Sequence, residues 1–308
     1  MRIALGVATA IVFVVLLVLF ARGTPSSPHP AASKLQVSAT IFPLADWLHE
    51  IGGPDLDVHL LVSGGANPHH FEPGIQDVSQ ITRSRAVFTV GLGLDPWAPK
   101  LAANAGNIPV IETGTWITPR KLSAHEKEHD DGHGHGDFDP HYWLDPQRAM
   151  IVVKQMAEEL GKLDSAHMAA FTQRAEAYVQ KLKELDVEVQ TAAKSVPAGA
   201  QLVSFHDAFG YLFARLNIAV AAAIQSSPGV EPSTRDVAEA LRRMKEIGQK
   251  TVFVEPMSST RTAVLIAQEL GGNTAVLDPM DSQLGADGKT YIERLRYDVQ
   301  VLLKAVQK

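Results

Sequence analysis

The chain has 308 residues and no cysteine. That removes disulfides, thiolate metal sites and cysteine nucleophiles together, and with them the lipid-carrying cysteine of a bacterial lipoprotein. Basic residues are a minority: 28 Lys and Arg stand against 34 Asp and Glu, a net charge of −6. Phosphate backbones recruit basic faces, so no nucleic-acid partner is expected. No Gly-x-x-x-x-Gly-Lys-Ser/Thr run occurs, so the chain is not a P-loop ATPase. Long apolar runs are confined to one place. Residues 3–21 carry no charge, with Arg2 before them and Arg22 after. A positive start followed by an apolar run is the pattern of a secretory signal, here long enough to serve as an uncleaved anchor. Residues 1–23 are therefore expected to be a signal peptide or membrane anchor. Residues 24–33, with three prolines, read as a flexible tether. Everything after them is expected to lie outside the cytoplasm, in the periplasm or its equivalent.

What remains is rich in α/β signals. Residues 35–42 alternate and are β-rich, 44–51 have helical spacing, and 56–62 form a second strand. Helices are predicted over 77–85 and 97–105, and strands over 86–90 and 110–111. The second half repeats the pattern, with strands at 201–204, 219–224, 251–254 and 275–277. Helices are predicted at 208–216, 233–247, 261–270 and 291–306. Such alternation argues for sheets covered by helices. Residues 165–194 contain no glycine or proline, and apolar side chains recur at Met168, Phe171, Ala175, Tyr178, Leu182, Leu185 and Val189. That spacing predicts one helix over 165–195, roughly 45 Å long at 1.5 Å per residue, acting as a strut. The expected fold is two similar α/β lobes, 34–146 and 197–308, joined through helices at 147–196, with a cleft between them. The chain is expected to be a monomer.

Without thiolates, any metal site must use His, Asp, Glu or backbone oxygen. Three imidazoles and a carboxylate suit zinc, with manganese or iron as alternatives. Twelve histidines are present. Four segments stand out. Asn67-Pro68-His69-His70-Phe71-Glu72-Pro73 follows a strand and a glycine turn, where ligands bind in open α/β sheets. Asp139-Pro140-His141-Tyr142-Trp143-Leu144-Asp145-Pro146 places a histidine in a rigid apolar patch, where its ring nitrogens need partners. Ser204-Phe205-His206-Asp207 again joins a strand to a helix. Leu277-Asp278-Pro279 ends the last core strand, with Asp281 close by as an alternative to Asp278 and water as a further alternative for the fourth position. Taken singly, each has a plain alternative: a surface turn, a backbone-bonded histidine or a turn aspartate. Together, His69, His141, His206 and Asp278 make a closed site that binds metal and does not activate water.

These four segments, with Phe253-Val254-Glu255-Pro256, come in an order that resembles the zinc-type solute-binding proteins of ABC importers from about residue 35 to the end. The resemblance implies two α/β lobes joined by a long rigid helix, with His69, His141 and His206 as ligands and His70 as a non-ligand neighbour. It carries a carboxylate onto Asp278. A histidine at 206, where manganese-type members usually have glutamate, favours zinc. The implied partners are a membrane permease and its cytoplasmic ATPase.

The loop 123–138 carries His125, His129, His133 and His135 among acids and glycines. It is low in complexity and is expected to gather metal weakly beside the main site. His125-Glu126-Lys127-Glu128-His129 also matches the zinc-protease pattern, but no apolar stripe flanks it, so the hydrolase reading is the weaker one and the chain is not expected to be an enzyme. An adhesin role on the same scaffold is a further alternative. His29, His49, His59 and His167 read as background.

Overall fold

The computed structural model describes residues 34–63, 65–122, 137–204, 206, 208–224, 232–256, 260–281 and 288–307. The expected signal and tether (1–33) and the loop histidines His125, His129, His133 and His135 lie outside the described residues. No helix among the described residues is long and apolar enough to cross a membrane.

The first half begins with β1 (Leu35–Ala39), α1 (Phe42–Gly52) and β2 (Leu56–Leu60). Strand and helix meet abruptly because Pro43 fits the first turn of α1, where its missing N–H is no loss. Next come α2 (Ile75–Ile81), β3 (Val87–Thr89), α3 (Ala98–Asn104) and β4 (Val110–Glu112). The four strands form one parallel sheet in the order β2-β1-β3-β4. β1 is central and nearly all buried, which suits its apolar Leu35, Val37 and Ala39.

Two helices follow, α4 (Pro146–Leu163) and α5 (Met168–Ala193). The sequence predicted one helix from residue 165. Instead Asp164 closes α4, and a turn over Asp164 to His167 reverses the chain before α5 starts. His167 Nδ1 bonds Asp164 Oδ2 at 2.7 Å and fixes that turn. The helix is therefore 26 residues, roughly 39 Å. It is also more than a bare strut. Phe171, Ala175, Tyr178, Leu182, Leu185 and Val189 are buried in one cluster with side chains of α1, α4 and the helices beyond. Each fully buried Phe, Leu or Val among them contributes about 1.5–3 kcal/mol of transfer free energy.

The second half comprises β5 (Gln201–Ser204), α6 (Gly210–Leu216), β6 (Ala219–Ala223), α7 (Thr234–Ile247), β7 (Thr251–Val254), α8 (Thr260–Glu269), β8 (Asn273–Val276) and α9 (Tyr291–Val306). β5 pairs with β6 and β7 with β8, both parallel. α7 and α9 start with reciprocal capping boxes, Ser233 with Asp236 and Thr290 with Glu293. One large apolar cluster runs from Val37 and Trp47 through Leu182 to Phe213 and Leu302. Smaller clusters complete each half, around Ile81 and Leu101 in the first and around Val252 and Ile266 in the second.

Candidate metal site

The candidate ligands sit where the polypeptide leaves the core elements. His69 lies in a 3-10 turn, Pro68–His70, after β2. Asn67 Oδ1 accepts from the His69 N–H at 2.9 Å and caps that turn. Trp97 Nε1 donates to the Pro68 carbonyl at 2.9 Å, and the Trp97 ring packs on Phe71 with centroids 4.7 Å apart. His69 is part-exposed as a residue, yet both its ring nitrogens are buried; His70 is exposed.

His141 is 3% exposed. Its Nδ1 meets Asp139 Oδ1 at 2.8 Å, and the same oxygen accepts the His141 backbone N–H at 2.9 Å. Arg120 grips the other oxygen from Nε at 3.0 Å and from a terminal nitrogen at 2.7 Å. Burial alone would push the Asp139 carboxyl up. The His141 hydrogen bonds and the Arg120 charge outweigh it and hold the group below its usual range. Burial likewise pushes His141 down, against the pull of Asp139. The pair is therefore an ionised carboxylate accepting from a neutral imidazole. That fixes the proton on Nδ1 and turns the Nε2 lone pair outward. His141 Nε2 is buried and has no hydrogen-bond partner among the described residues.

His206 follows β5 and is 6% exposed. Its Nδ1 meets Glu255 Oε1 at 3.0 Å. Glu255 directly follows β7, so two neighbouring strand ends supply a ligand and its supporting acid.

These three rings face one another. Centroids lie 5.6 Å apart for His69 and His141, 5.9 Å for His69 and His206, and 5.4 Å for His141 and His206. One nitrogen from each lies within 4.8 Å of the other two, the one such group among the described residues. Ligands on a tetrahedral zinc with bonds of about 2.0–2.1 Å stand roughly 3.3 Å apart, so small ring movements would close this cage. An orphaned buried nitrogen and two carboxylate-anchored imidazoles fit a divalent metal with borderline-soft preference.

The structure does not bring Asp278 to the three imidazoles. Its Oδ1 accepts the Met280 N–H at 2.8 Å, and its Oδ2 pairs with Arg294 at 2.7 Å. A strand-end aspartate is drawn into a local turn and onto the nearest cation. Asp281, three residues on, is 7% exposed and, like Asp278, is not part of the three-histidine group. Its carboxyl is pushed up to about 7, first by burial and then by Glu255, while the His206 charge draws it down.

Sequence reasoning missed Asp139, Glu255 and Arg120 as parts of the site. The two acids had a legible signal, since each abuts a proline in a motif already singled out and Glu255 directly follows a core strand. Arg120 had none, because only the fold brings it to Asp139.

A family profile described as zinc-uptake complex component A, periplasmic, matches residues 37–305. The zinc-binding protein AdcA of Streptococcus pyogenes is 28% identical over 290 residues, 88% of this chain and 56% of that protein. The chain thus spans about half that relative's length. Among solved structures, the laminin-binding protein of Streptococcus agalactiae, described as an adhesin with metal-transporting activity, superposes with a TM-score of 0.77 at 28% identity, covering 88% of this chain and 99% of that one. The binding protein FpvC of Pseudomonas aeruginosa, in complex with Mn²⁺, gives a TM-score of 0.75 at 26% identity, covering 89% and 99%. The profile match covers nearly all of the described fold and every residue of the histidine cage, and the chain belongs to the ZnuA family, zinc-uptake complex component A.

Proposed function

We propose that this protein captures Zn²⁺ outside the cytoplasm and hands it to the membrane permease of an ABC importer driven by a cytoplasmic ATPase. His69, His141 and His206 are the ligands, and Zn²⁺ is cargo. The observation that carries this reading is the buried Nε2 of His141, aimed among two further imidazoles while its Nδ1 is held by Asp139. Imidazole donors favour zinc over manganese. Asp281 is the better candidate than Asp278 for a fourth, oxygen ligand, because both carboxylate oxygens of Asp278 are engaged, by the Met280 N–H and by Arg294. A site of three nitrogens and one oxygen holds a metal without leaving a position for reactive water, which supports a carrier and not a hydrolase.

The test is calorimetric zinc titration with manganese as competitor, on wild type and His206→Ala. One tight zinc site, resistant to manganese and lost in the variant, is the expected outcome. Tight manganese binding would move the cargo to the metal of the FpvC complex. Unchanged tight zinc binding by His206→Ala would refute the ligand set.

A further inference from the structure

The turn over residues 277–281 is held far more firmly than a strand-to-helix connection requires. Leu277 extends the pairing of β8 through its N–H to the Val254 carbonyl at 2.9 Å. The next N–H, of Asp278, donates to Asp298 Oδ1 at 3.0 Å. The Asp278 carboxylate binds Met280 N–H with one oxygen and Arg294 with the other. The Pro279 carbonyl accepts from Trp143 Nε1 at 2.7 Å. Arg294 and Asp298 are four apart on α9, so they share one face of that helix. Arg294 also lies over the Phe42 ring, 5.0 Å from its centroid. Asp298 is fully buried, and its Oδ2 has no hydrogen-bond partner among the described residues.

This restraint opposes a local cost. Met280 has φ of 61°, the left-handed region that residues with a Cβ avoid. Met280 is nevertheless buried, at 1% exposure. Such a conformation persists only when its surroundings over-determine it. A relaxed turn would carry Asp281, the next residue, away from its present buried place. Trp143 ties the same turn to the segment that bears His141, two residues earlier, and Tyr291 at the start of α9 donates its hydroxyl to the Trp143 carbonyl.

We propose that Asp278, Arg294 and Asp298 form a latch that fixes the turn, so that Asp278 is a positioning residue that keeps Asp281 in its buried place and does not itself touch the metal. The inference rests on the zinc-carrier reading and deepens it. A buried acid–base cluster of this kind is retained because it dictates one conformation of the loop it holds; its net contribution to stability is secondary.

A double-mutant cycle tests it. Zinc affinity is measured by calorimetry for wild type, Asp278→Asn, Arg294→Gln and the double variant, with the ligand-field spectrum of bound Co²⁺ recorded for each. Each single substitution is expected to lower zinc affinity about tenfold, the lower end for groups that orient a metal's ligands. The double variant should be no worse than either single one, since both remove the same pairing. The tetrahedral Co²⁺ spectrum should persist in Asp278→Asn and change in Asp281→Asn. Arg294→Lys, which keeps the charge, should recover most of the affinity and guards against misfolding of the glutamine variant. The latch is overturned if Asp278→Asn alone abolishes binding and alters the Co²⁺ spectrum while Arg294→Gln behaves as wild type, because Asp278 then coordinates. It is also overturned if all these variants bind as wild type. A wild type without a tight zinc site would instead refute the carrier reading, and this inference with it.

Discussion

Asp139→Asn isolates the support of one imidazole from the imidazole itself. The amide oxygen can still accept from His141 Nδ1, now as a neutral acceptor, while the amide nitrogen is set against Arg120, where two donors meet. Two losses follow. The ring of His141 is less basic and less firmly oriented, which for groups behind a metal ligand costs about 10–100-fold in affinity, or about 1.4–2.7 kcal/mol. The guanidinium of Arg120, its side chain 24% exposed, loses its ion pair with a fully buried carboxylate. Removing one member of a buried pair costs about 3–5 kcal/mol, and the partial exposure of Arg120 brings the expectation to about 2 kcal/mol. Zinc calorimetry at pH 7 reads the first loss, and denaturant unfolding without metal reads the second. Asp164→Asn is the internal control: it disturbs the same His–Asp geometry at His167, 37% exposed and on another element, and should leave zinc affinity unchanged. Equal zinc affinity for wild type and Asp139→Asn would refute the claim that the carboxylate orients His141.

Asp46 offers a pH test away from the metal. Burial raises its carboxyl to about 6 from the ordinary 3.8, so the folded state holds this proton more tightly than the unfolded one. The associated stability is complete below about pH 4 and is lost as pH rises through 6, leaving an ionised group that costs about 3 kcal/mol at neutrality. Asp46→Asn, which can still accept from Tyr178 and the Tyr291 N–H, should raise Tm above wild type at pH 7.5 and match it near pH 4; parallel curves at both would exclude this origin. Gly210→Ala should act at a distance on the site. A methyl there would collide with the Arg120 guanidinium, which reaches Asp139 across the bare glycine. Zinc affinity is expected to fall about tenfold and Tm to drop; full wild-type affinity would show that Arg120 need not hold Asp139.

Local signals fixed much of this molecule before any tertiary contact is considered. Apolar strands of four to five residues, proline at helix starts and Ser or Thr three residues before an acid are short-range instructions, and the elements they imply at 201–204, 251–254 and 291–306 occur where expected. The three histidines were legible for a similar reason. Each lies just beyond a core element in a proline- or aromatic-rich segment, so its neighbourhood is decided within a few residues. The long helix was read a few residues too long at its start, because residues 165–167 belong to a turn fixed by the Asp164–His167 side-chain hydrogen bond, and no glycine or proline marks it. What sequence could not decide was which charges meet. Asp278 and Asp281 both follow the last strand and are chemically alike. Arg294, on a helix brought alongside by packing, engages the first, while the second is buried in the field of His206. Arg120 finds Asp139 across 19 residues, and Glu255 finds His206 across 49. Electrostatic partners are chosen by distance in space, and only the folded chain sets those distances.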